Sequence, residues 1–300
     1  MERTILRGTG IETSRLGMGC VSLTRHAERA DAVRLLEAAL GEGIMHYDVA
    51  PQYGFGQAEG ILGAFLKGKR DRVTVATKFG LAPSAALAKH KGLVSMARSL
   101  ARKSGAFAAV ARRVLKKTGR RSYDPADAAA SLEKSLRELG TDYVDLFLLH
   151  DCSAADAGRE DLRRFLEEAR KNGKIRAYGV ATSFDKLGED AGVYPAEFRV
   201  LQFDNAAGED HVGRLRNAGE RALITYGATR LAGSALGETK DVASLLVRRA
   251  LEENAGGVVL FDTTRVEHLQ ANVESAKRGR LSAAEREKLV EALGAIAKGD

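Results

Sequence analysis

Three short segments carry most of the structural information in this 300-residue chain: MHYDVAPQYG at 45–54, VTVATKFG at 73–80 and YVDLFLLH at 143–150. Each is an apolar run that stops at a polar residue, which is typical of a buried parallel strand with a functional group at its carboxyl end. Asp48, Lys78 and His150 end or nearly end the three runs, and Tyr53 follows the first. The pattern predicts a parallel sheet that collects these four side chains at one edge.

Eight strand-like runs alternate with amphipathic segments along the chain. The predicted strands are Arg15–Cys20, Ile44–Asp48, Val73–Thr77, Val144–His150, Ile175–Val180, Val200–Phe203, Ala222–Tyr226 and Val258–Phe261. The predicted helices are Ala30–Glu42, Gln57–Leu66, Pro125–Leu139, Arg159–Asn172, Val242–Asn254 and Val266–Lys277. Strands that are regularly followed by helices indicate βαβ units, and eight of them predict closure into a (β/α)8 TIM barrel.

Two further elements are predicted outside the barrel. Thr4–Leu6 and Ile11 flank the turn-like run Arg7–Gly10, which predicts an N-terminal β-hairpin. Ala283–Lys298 has the pattern of one more amphipathic helix at the C-terminal end. Because an α/β barrel of this length is ordinarily one domain, we expect residues 1–300 to form a single domain.

Composition narrows the class of protein. Apolar residues make up 44% of the chain, enough for a large core, yet no run reaches the roughly 18–20 apolar residues that span a bilayer. The first residues have no apolar signal core. Cys20 and Cys152 are the two cysteines, and both lie beside strand-like runs, so a disulfide framework is not expected. These features predict a cytoplasmic protein with reduced thiols.

The net positive charge of the chain comes from one segment, residues 81–123. It carries eleven Lys and Arg and no acid, so removing these charges takes the formal net charge from +7 to −4. Its apolar residues recur near helical spacing, which predicts one or two amphipathic helices inserted after the third strand, above the mouth of the barrel. The segment is interpreted as a solvated lid, or as a site for an anionic ligand, an anionic membrane or an acidic partner. Nucleic acid is not expected, because Phe107 and Tyr123 are too few aromatic residues for base stacking.

The four polar residues suit one kind of chemistry. In a barrel of this type the active site lies at the carboxyl ends of the strands. A tyrosine has a pKa of about 10, and a nearby lysine lowers it and makes the phenol a better proton donor. Asp48 can hold Lys78 in place, and His150 can hydrogen-bond a carbonyl oxygen. The set therefore predicts reduction of a carbonyl group by hydride from a cofactor. His90, His211 and His268 lack metal-ligand spacing, so no metal is expected.

Over nearly its whole length the chain resembles the aldo-keto reductases. The resemblance is carried by an ordered set of motifs: Ser14–Gly19, Tyr47–Gly54 with Glu59, Ala76–Gly80, Ser135–Asp145, His150, Lys174–Arg176 with Gly179 and Val180, Gln202, and Glu267–Leu269 with Asn272. It implies that Tyr53 is the general acid or base, that Lys78 tunes its pKa, that Asp48 partners the lysine and that His150 orients the substrate.

The resemblance also implies a nicotinamide cofactor. Gln202 would bond the carboxamide with help from Thr182, and Tyr226 would stack under the ring. A group at the start of the last barrel helix would hold the adenosine end: Thr263, Thr264, Arg265 and Asn272.

The chain departs from the family pattern at three places. Ala181-Thr182 replaces a usual Ser-Asn, and Gly227-Ala228-Thr229 replaces a usual Ser-Pro-Leu. Asp262 stands where a glycine or lysine is common, and its carboxylate would repel a 2′-phosphate, whereas Arg265 would attract one. The resemblance to the family implies NADP(H) as the preferred cofactor, and NAD(H) stays possible because of Asp262.

Three functions remain open from the sequence. The first is an NAD(P)H-dependent reductase of a small aldehyde, ketone or sugar. The second uses the same residues in the oxidative direction, as an aldose or alcohol dehydrogenase, which the stretch Asp48–Pro51 favours by its similarity to sugar-oxidising members. The third is a cofactor-binding regulatory subunit with little turnover, although such a protein has no need of the Tyr–Lys–Asp arrangement.

Overall fold

The computed structural model of the protein describes residues 1–82, 120–230 and 240–298. The strands are β1 Arg3–Leu6, β2 Ile11–Ser14, β3 Leu16–Gly19, β4 His46–Asp48, β5 Thr74–Phe79, β6 Leu81–Ala82, β7 Arg120–Arg121, β8 Val144–His150, β9 Ile175–Ala181, β10 Val200–Asp204, β11 Ala222–Tyr226 and β12 Val258–Phe261. The helices are α1 Arg29–Gly41, α2 Ala58–Leu66, α3 Pro125–Leu139, α4 Ala154–Ala157, α5 Glu160–Lys171, α6 Phe184–Leu187, α7 His211–Arg214, α8 Lys240–Glu253, α9 Val266–Lys277 and α10 Ala283–Lys298.

Eight parallel strands close into a barrel in the order β3-β4-β5-β8-β9-β10-β11-β12, with β12 pairing back to β3. This confirms the predicted (β/α)8 architecture. Strands β5 and β8 are buried along almost their whole length, as expected for strands covered by side chains on one face and helices on the other. Tyr47 shows the alternation: its hydroxyl donates outward to the Leu36 and Ile44 carbonyl oxygens, whereas its neighbour Asp48 points into the barrel.

The predicted hairpin is present and covers the amino-terminal end of the barrel. Strands β1 and β2 pair antiparallel from Arg3↔Ser14 to Leu6↔Ile11. Leu6 and Ile11 are fully buried in one cluster with the first residues of three barrel strands: Val200, Ala222 and Val258. The hairpin therefore leaves the carboxyl ends of the strands as the open side.

Helix boundaries follow their capping residues. At the start of α3, Asp124 accepts a hydrogen bond from the Ala126 N–H at 2.9 Å ahead of a first-turn proline, and Gly140 ends the helix at φ 65°. The predicted C-terminal helix is α10, and Leu289 packs it against Leu245 and Leu246 of α8, outside the barrel. None of the helices in the described ranges is both long and apolar enough to cross a bilayer.

The two ends of the basic segment form a short ribbon at the barrel mouth. Leu81 pairs with Arg121, and Ala82 pairs with Arg120, both antiparallel. The sequence does not predict strands at these ends, which form β6 and β7, and their backbone pairing ties the segment to the end of β5. The amphipathic helices predicted inside the segment lie at 83–119, outside the described residues.

Candidate active site

The structure brings Asp48, Tyr53 and Lys78 into direct contact. The Lys78 ammonium lies 2.5 Å from Asp48 Oδ1, and it donates to the Val49 carbonyl oxygen at 3.1 Å and to the Tyr53 hydroxyl at 3.3 Å. Asp48 ends β4, Lys78 is the fifth residue of β5, and Tyr53 lies in a short 3₁₀ turn that follows β4. The lysine is 2% exposed and the aspartate 3%, so both charges depend on each other.

His150 completes the group from the end of the next strand, β8. Its ring lies edge-on to the Tyr53 ring, with centroids 6.3 Å apart. Its Nδ1 lies 2.6 Å from the side-chain nitrogen of Gln52, and its backbone oxygen accepts a hydrogen bond from the Tyr123 hydroxyl at 2.7 Å. The four residues predicted from three strand ends therefore meet at one place.

Burial sets the protonation state of these groups. Desolvation raises the pKa of Tyr53, and it outweighs Lys78, which lowers it. The sequence-based expectation of a lowered tyrosine pKa is correct for the effect of the lysine but wrong for the sum, because the phenol is enclosed by protein. Burial lowers the pKa of Lys78, but Asp48 and Tyr53 together outweigh burial and leave it raised. Burial, aided by Lys78, lowers the pKa of His150 to about 3. The site therefore holds a neutral phenol, a charged lysine and a neutral imidazole.

The group opens into a cavity of about 760 Å³ at the carboxyl ends of the strands, within the usual range of about 300–1,000 Å³ for ligand pockets. Three residues that the resemblance assigned to the cofactor line it: Thr182, Gln202 and Tyr226. Gln202 makes a bond that the sequence did not predict, since its side-chain nitrogen donates to Asp48 Oδ2 at 2.8 Å.

The four residues assigned to the adenosine end are not among those that line the cavity. Thr263 is 8% exposed, and its hydroxyl accepts a hydrogen bond from the Arg265 backbone at 3.1 Å. The Arg265 side chain is exposed and lies 3.5 Å from Glu267. Thr264 and Asn272 are half-buried near the start of α9 and within it.

Asp262, in contrast, does line the cavity, and so does Arg25. The Ser22 hydroxyl donates to Asp262 Oδ1 at 2.5 Å. Asp262 is exposed to the cavity. Desolvation by the surrounding protein still raises the pKa of its carboxyl to about 6, whereas the hydrogen bond from Ser22 and the charge of Arg25 lower it. An anionic and a cationic side chain thus both line the cavity.

Three residues around His150 were not identified from the sequence. Gln52 contacts its ring, Tyr123 bonds its backbone oxygen, and Asp151 follows it in the chain. Asp151 has a left-handed backbone (φ 61°), and its carboxylate bonds both Arg121 of β7 and Lys186 of α6. Gly80 (φ 110°) leaves room for Tyr123, because a Cβ there would stand 2.4 Å from the tyrosine ring. Two signals for these residues were available in the sequence: Gly80, directly after a strand, and Asp151, an acid next to His150.

One cluster of possible metal ligands exists among the described residues. Ligand atoms of Asp204, Glu209 and His211 lie within 4.8 Å of one another. All three side chains already bond to the backbone around the end of β10: Asp204 accepts from the Phe184 N–H, Glu209 accepts from the Ala206 N–H, and His211 Nδ1 contacts the Asp204 carbonyl oxygen. We therefore assign this cluster to the folding of the loop.

Known proteins resemble the chain in sequence. A model of the aldo/keto reductase family matches residues 15–189. Aldo-keto reductase YhdN of Bacillus subtilis (strain 168) is 32% identical over 187 residues, which cover 60% of this chain and 47% of that protein. D-threo-aldose 1-dehydrogenase of a Pseudomonas species is 33% identical over 183 residues, 58% of this chain and 51% of the relative. The matched stretches thus span about half the length of these relatives.

Solved structures resemble the fold. An aldo-keto reductase of Bacillus halodurans in its holo form superposes with a TM-score of 0.71 at 20% identity, covering 97% of this chain and 96% of its own. An aldo-keto reductase of Klebsiella pneumoniae in complex with NADPH gives a TM-score of 0.67 at 19% identity, over 97% and 95% of the two chains. At this identity the likeness supports the barrel, and the sequence match supports the family. The chain belongs to the aldo/keto reductase family.

Proposed function

We propose that the protein is an NAD(P)H-dependent oxidoreductase that reduces a small aldehyde, ketone or sugar carbonyl, with Tyr53 as general acid. One observation carries the proposal: a buried lysine contacts both an aspartate and the tyrosine, and this group faces a cavity of about 760 Å³. A lysine with a purely structural role would not be expected to contact a tyrosine hydroxyl that faces an open cavity.

The residues would share the reaction as follows. His150, neutral at physiological pH, would donate a hydrogen bond to the carbonyl oxygen and orient it. Tyr53 would give its proton to that oxygen as negative charge develops there. Lys78 would stabilise the phenolate that remains, and Asp48 would keep the lysine charged. With its pKa raised, the Tyr53 phenol is protonated near neutral pH, as a proton donor must be.

The cavity fits a dinucleotide in extent and lining. Its lining includes the Gln202 amide, the Tyr226 ring and the charged side chains of Lys78 and Asp262. A nicotinamide cofactor bound here would supply the hydride. Gln202 would have to exchange its bond to Asp48 for one to the carboxamide, and Tyr226 would provide the flat surface for the ring.

A second candidate is the reverse reaction, oxidation of a sugar or alcohol. It is favoured by the match to a relative named D-threo-aldose 1-dehydrogenase, and another relative is named 6-dehydroglucose reductase. The same four residues would serve, with Tyr53 as the base. The two directions are compared by assaying the reduced and the oxidised cofactor with aldehydes and with sugars.

The replacement Tyr53→Phe tests the proposal. Because it removes the proton donor and little else, kcat for oxidation of NADPH with an aldehyde panel should fall about 10²–10⁴-fold. The chain has no tryptophan to report on binding, so cofactor affinity is measured by calorimetry and should be unchanged. Turnover at the wild-type rate in this variant would refute the role of Tyr53. Tight cofactor binding without turnover of any carbonyl by the wild type would favour a regulatory subunit.

We further propose that NADP(H) is preferred over NAD(H). Arg25 lies close enough to Asp262 to lower its pKa and provides a cation for a 2′-phosphate, whereas the Asp262 carboxylate opposes one. Asp262→Gly should therefore raise the affinity for NADPH about tenfold, which is about 1.4 kcal/mol, and leave that for NADH nearly unchanged. Arg25→Met is the matched variant and should weaken NADPH alone. An equal change for both cofactors in calorimetric titrations would place the 2′-phosphate elsewhere.

A further inference from the structure

Gln52 contacts the imidazole of His150 from behind. Its side-chain nitrogen lies 2.6 Å from His150 Nδ1. His150 lines the cavity, whereas Gln52 does not. Since Nδ1 and Nε2 lie on different sides of the ring, the contact with Gln52 leaves Nε2 as the nitrogen that can face a ligand.

The orientation of the Gln52 amide follows from its surroundings. With the nitrogen against His150, the amide oxygen is buried and has no hydrogen-bond partner among the described residues. Turning the amide would place its NH₂ group at that position and leave two buried donors unpaired instead of one acceptor. Buried donors without partners are rarer than buried carbonyl oxygens without partners, so the orientation with the nitrogen towards His150 is the better one.

This orientation determines where the proton of His150 lies. An amide nitrogen only donates, so Nδ1 must accept, and in a neutral imidazole the proton is then on Nε2. We propose that Gln52 is a positioning residue that fixes His150 in the Nε2–H tautomer, the form that can donate to a substrate carbonyl. The consequence for catalysis depends on the proposed function, whereas the tautomer itself does not.

The backbone of His150 is held as well, so the ring has little freedom to compensate. Tyr123 binds its carbonyl oxygen at 2.7 Å, and the following residue, Asp151, donates its N–H to the Ala181 carbonyl oxygen at 2.7 Å. Lys78 and burial disfavour the imidazolium. Because the ring is neutral and fixed, it can differ only in which nitrogen carries the proton, and Gln52 determines that.

Nitrogen NMR of the ligand-free protein tests the inference directly. In ¹⁵N-labelled wild type, His150 should show Nε2 as the protonated nitrogen and Nδ1 as the unprotonated one, and the signals are assigned by their loss in His150→Asn. In Gln52→Glu the carboxylate only accepts, so Nδ1 should become protonated. In Gln52→Met the preference should be lost. Gln57→Glu makes the same chemical change at an exposed position on the same loop and should leave His150 as in wild type.

Kinetics then connects the tautomer to turnover. Gln52→Glu should lower kcat about 10²-fold, the usual loss when a hydrogen-bond donor to a developing oxyanion is removed, with cofactor affinity unchanged. A proton on Nδ1 in the wild type, or a tautomer that Gln52→Glu and Gln52→Met do not alter, would overturn the inference. If the wild type reduced no carbonyl at all, the proposed function would fail, and the NMR result would still decide the role of Gln52.

Discussion

At the scale of residues, the site depends on a buried charge that is fully compensated. Asp48 uses one oxygen for Lys78 and the other for Gln202, and Lys78 has three partners. Isolated charges at such depth would be very costly, and breaking a buried pair by removing one partner is far more costly than replacing both. The pair is thus a condition for the stability of the fold.

Removing only the lysine should therefore destabilise the protein. We expect Lys78→Met to lower the free energy of unfolding by about 3–5 kcal/mol, because it leaves the Asp48 carboxylate buried with the Gln202 amide alone. Urea denaturation measures the change. The double variant Lys78→Met/Asp48→Leu removes both charges and should recover much of the loss. Equal stability of the single and the double variant would contradict this account.

The sequence predicted these residues because strand ends in a barrel converge by geometry. It did not predict Gln52, Tyr123 or Asp151, because their directions depend on turns, such as the left-handed backbone at Asp151. It also gave the wrong net direction for the Tyr53 pKa, since desolvation depends on how tightly neighbours enclose a group.

At the scale of elements, the ribbon β6–β7 connects the basic segment to the barrel. Arg121 bonds Asp151, and Tyr123, two residues further on, bonds the His150 carbonyl oxygen. These two bonds fix the ribbon to the end of β8, which the chain reaches only after α3. Capping residues allowed α3 to be predicted to the residue, but nothing in the sequence indicated that Leu81 pairs with Arg121.

Because Ala82 and Arg120 are paired neighbours, residues 83–119 should be replaceable by a two-residue Asn-Gly turn. We expect the shortened protein to keep cooperative thermal unfolding and turnover of neutral aldehydes. Turnover of anionic aldehydes should become less sensitive to salt, because nine of the eleven basic residues of the segment are removed. A control that also carries Tyr123→Phe separates the segment from its anchor. Loss of cooperative unfolding in the first variant would show that the segment is part of the core.

At the scale of the whole molecule, buried histidines couple stability to pH. Burial lowers the pKa of His46 to about 4, and both of its ring nitrogens are buried without hydrogen-bond partners among the described residues. The pKa of His150 is lowered to about 3. An unfolded histidine titrates near 6.5, so below that pH the unfolded chain binds protons that the folded chain refuses. The stability that these two neutral histidines contribute is therefore fully present above about pH 6.5 and is lost as the pH falls towards 4 for His46 and towards 3 for His150.

A variant isolates the part of His46 in this loss. In His46→Met, unfolding free energies measured by urea denaturation between about pH 6.5 and pH 4.5 should fall less steeply than in wild type. The difference should be about 1.4 kcal/mol per pH unit, the value for one proton. His268→Gln changes an exposed histidine of α9 and should leave the slope as it is. If the free energy of unfolding fell equally steeply with pH in wild type and His46→Met, the folded protein would bind a proton at His46 as readily as the unfolded chain does.

The hairpin β1–β2 has a consequence for the order of events in turnover. It covers the amino-terminal end of the barrel, where Leu6 and Ile11 are buried among the first residues of the strands. Cofactor and substrate would then have to enter and leave through the same mouth. The ligand that occupies the deeper position must arrive first and depart last, so a compulsory binding sequence, visible in product inhibition, would follow from the closed end of the barrel as much as from the active site.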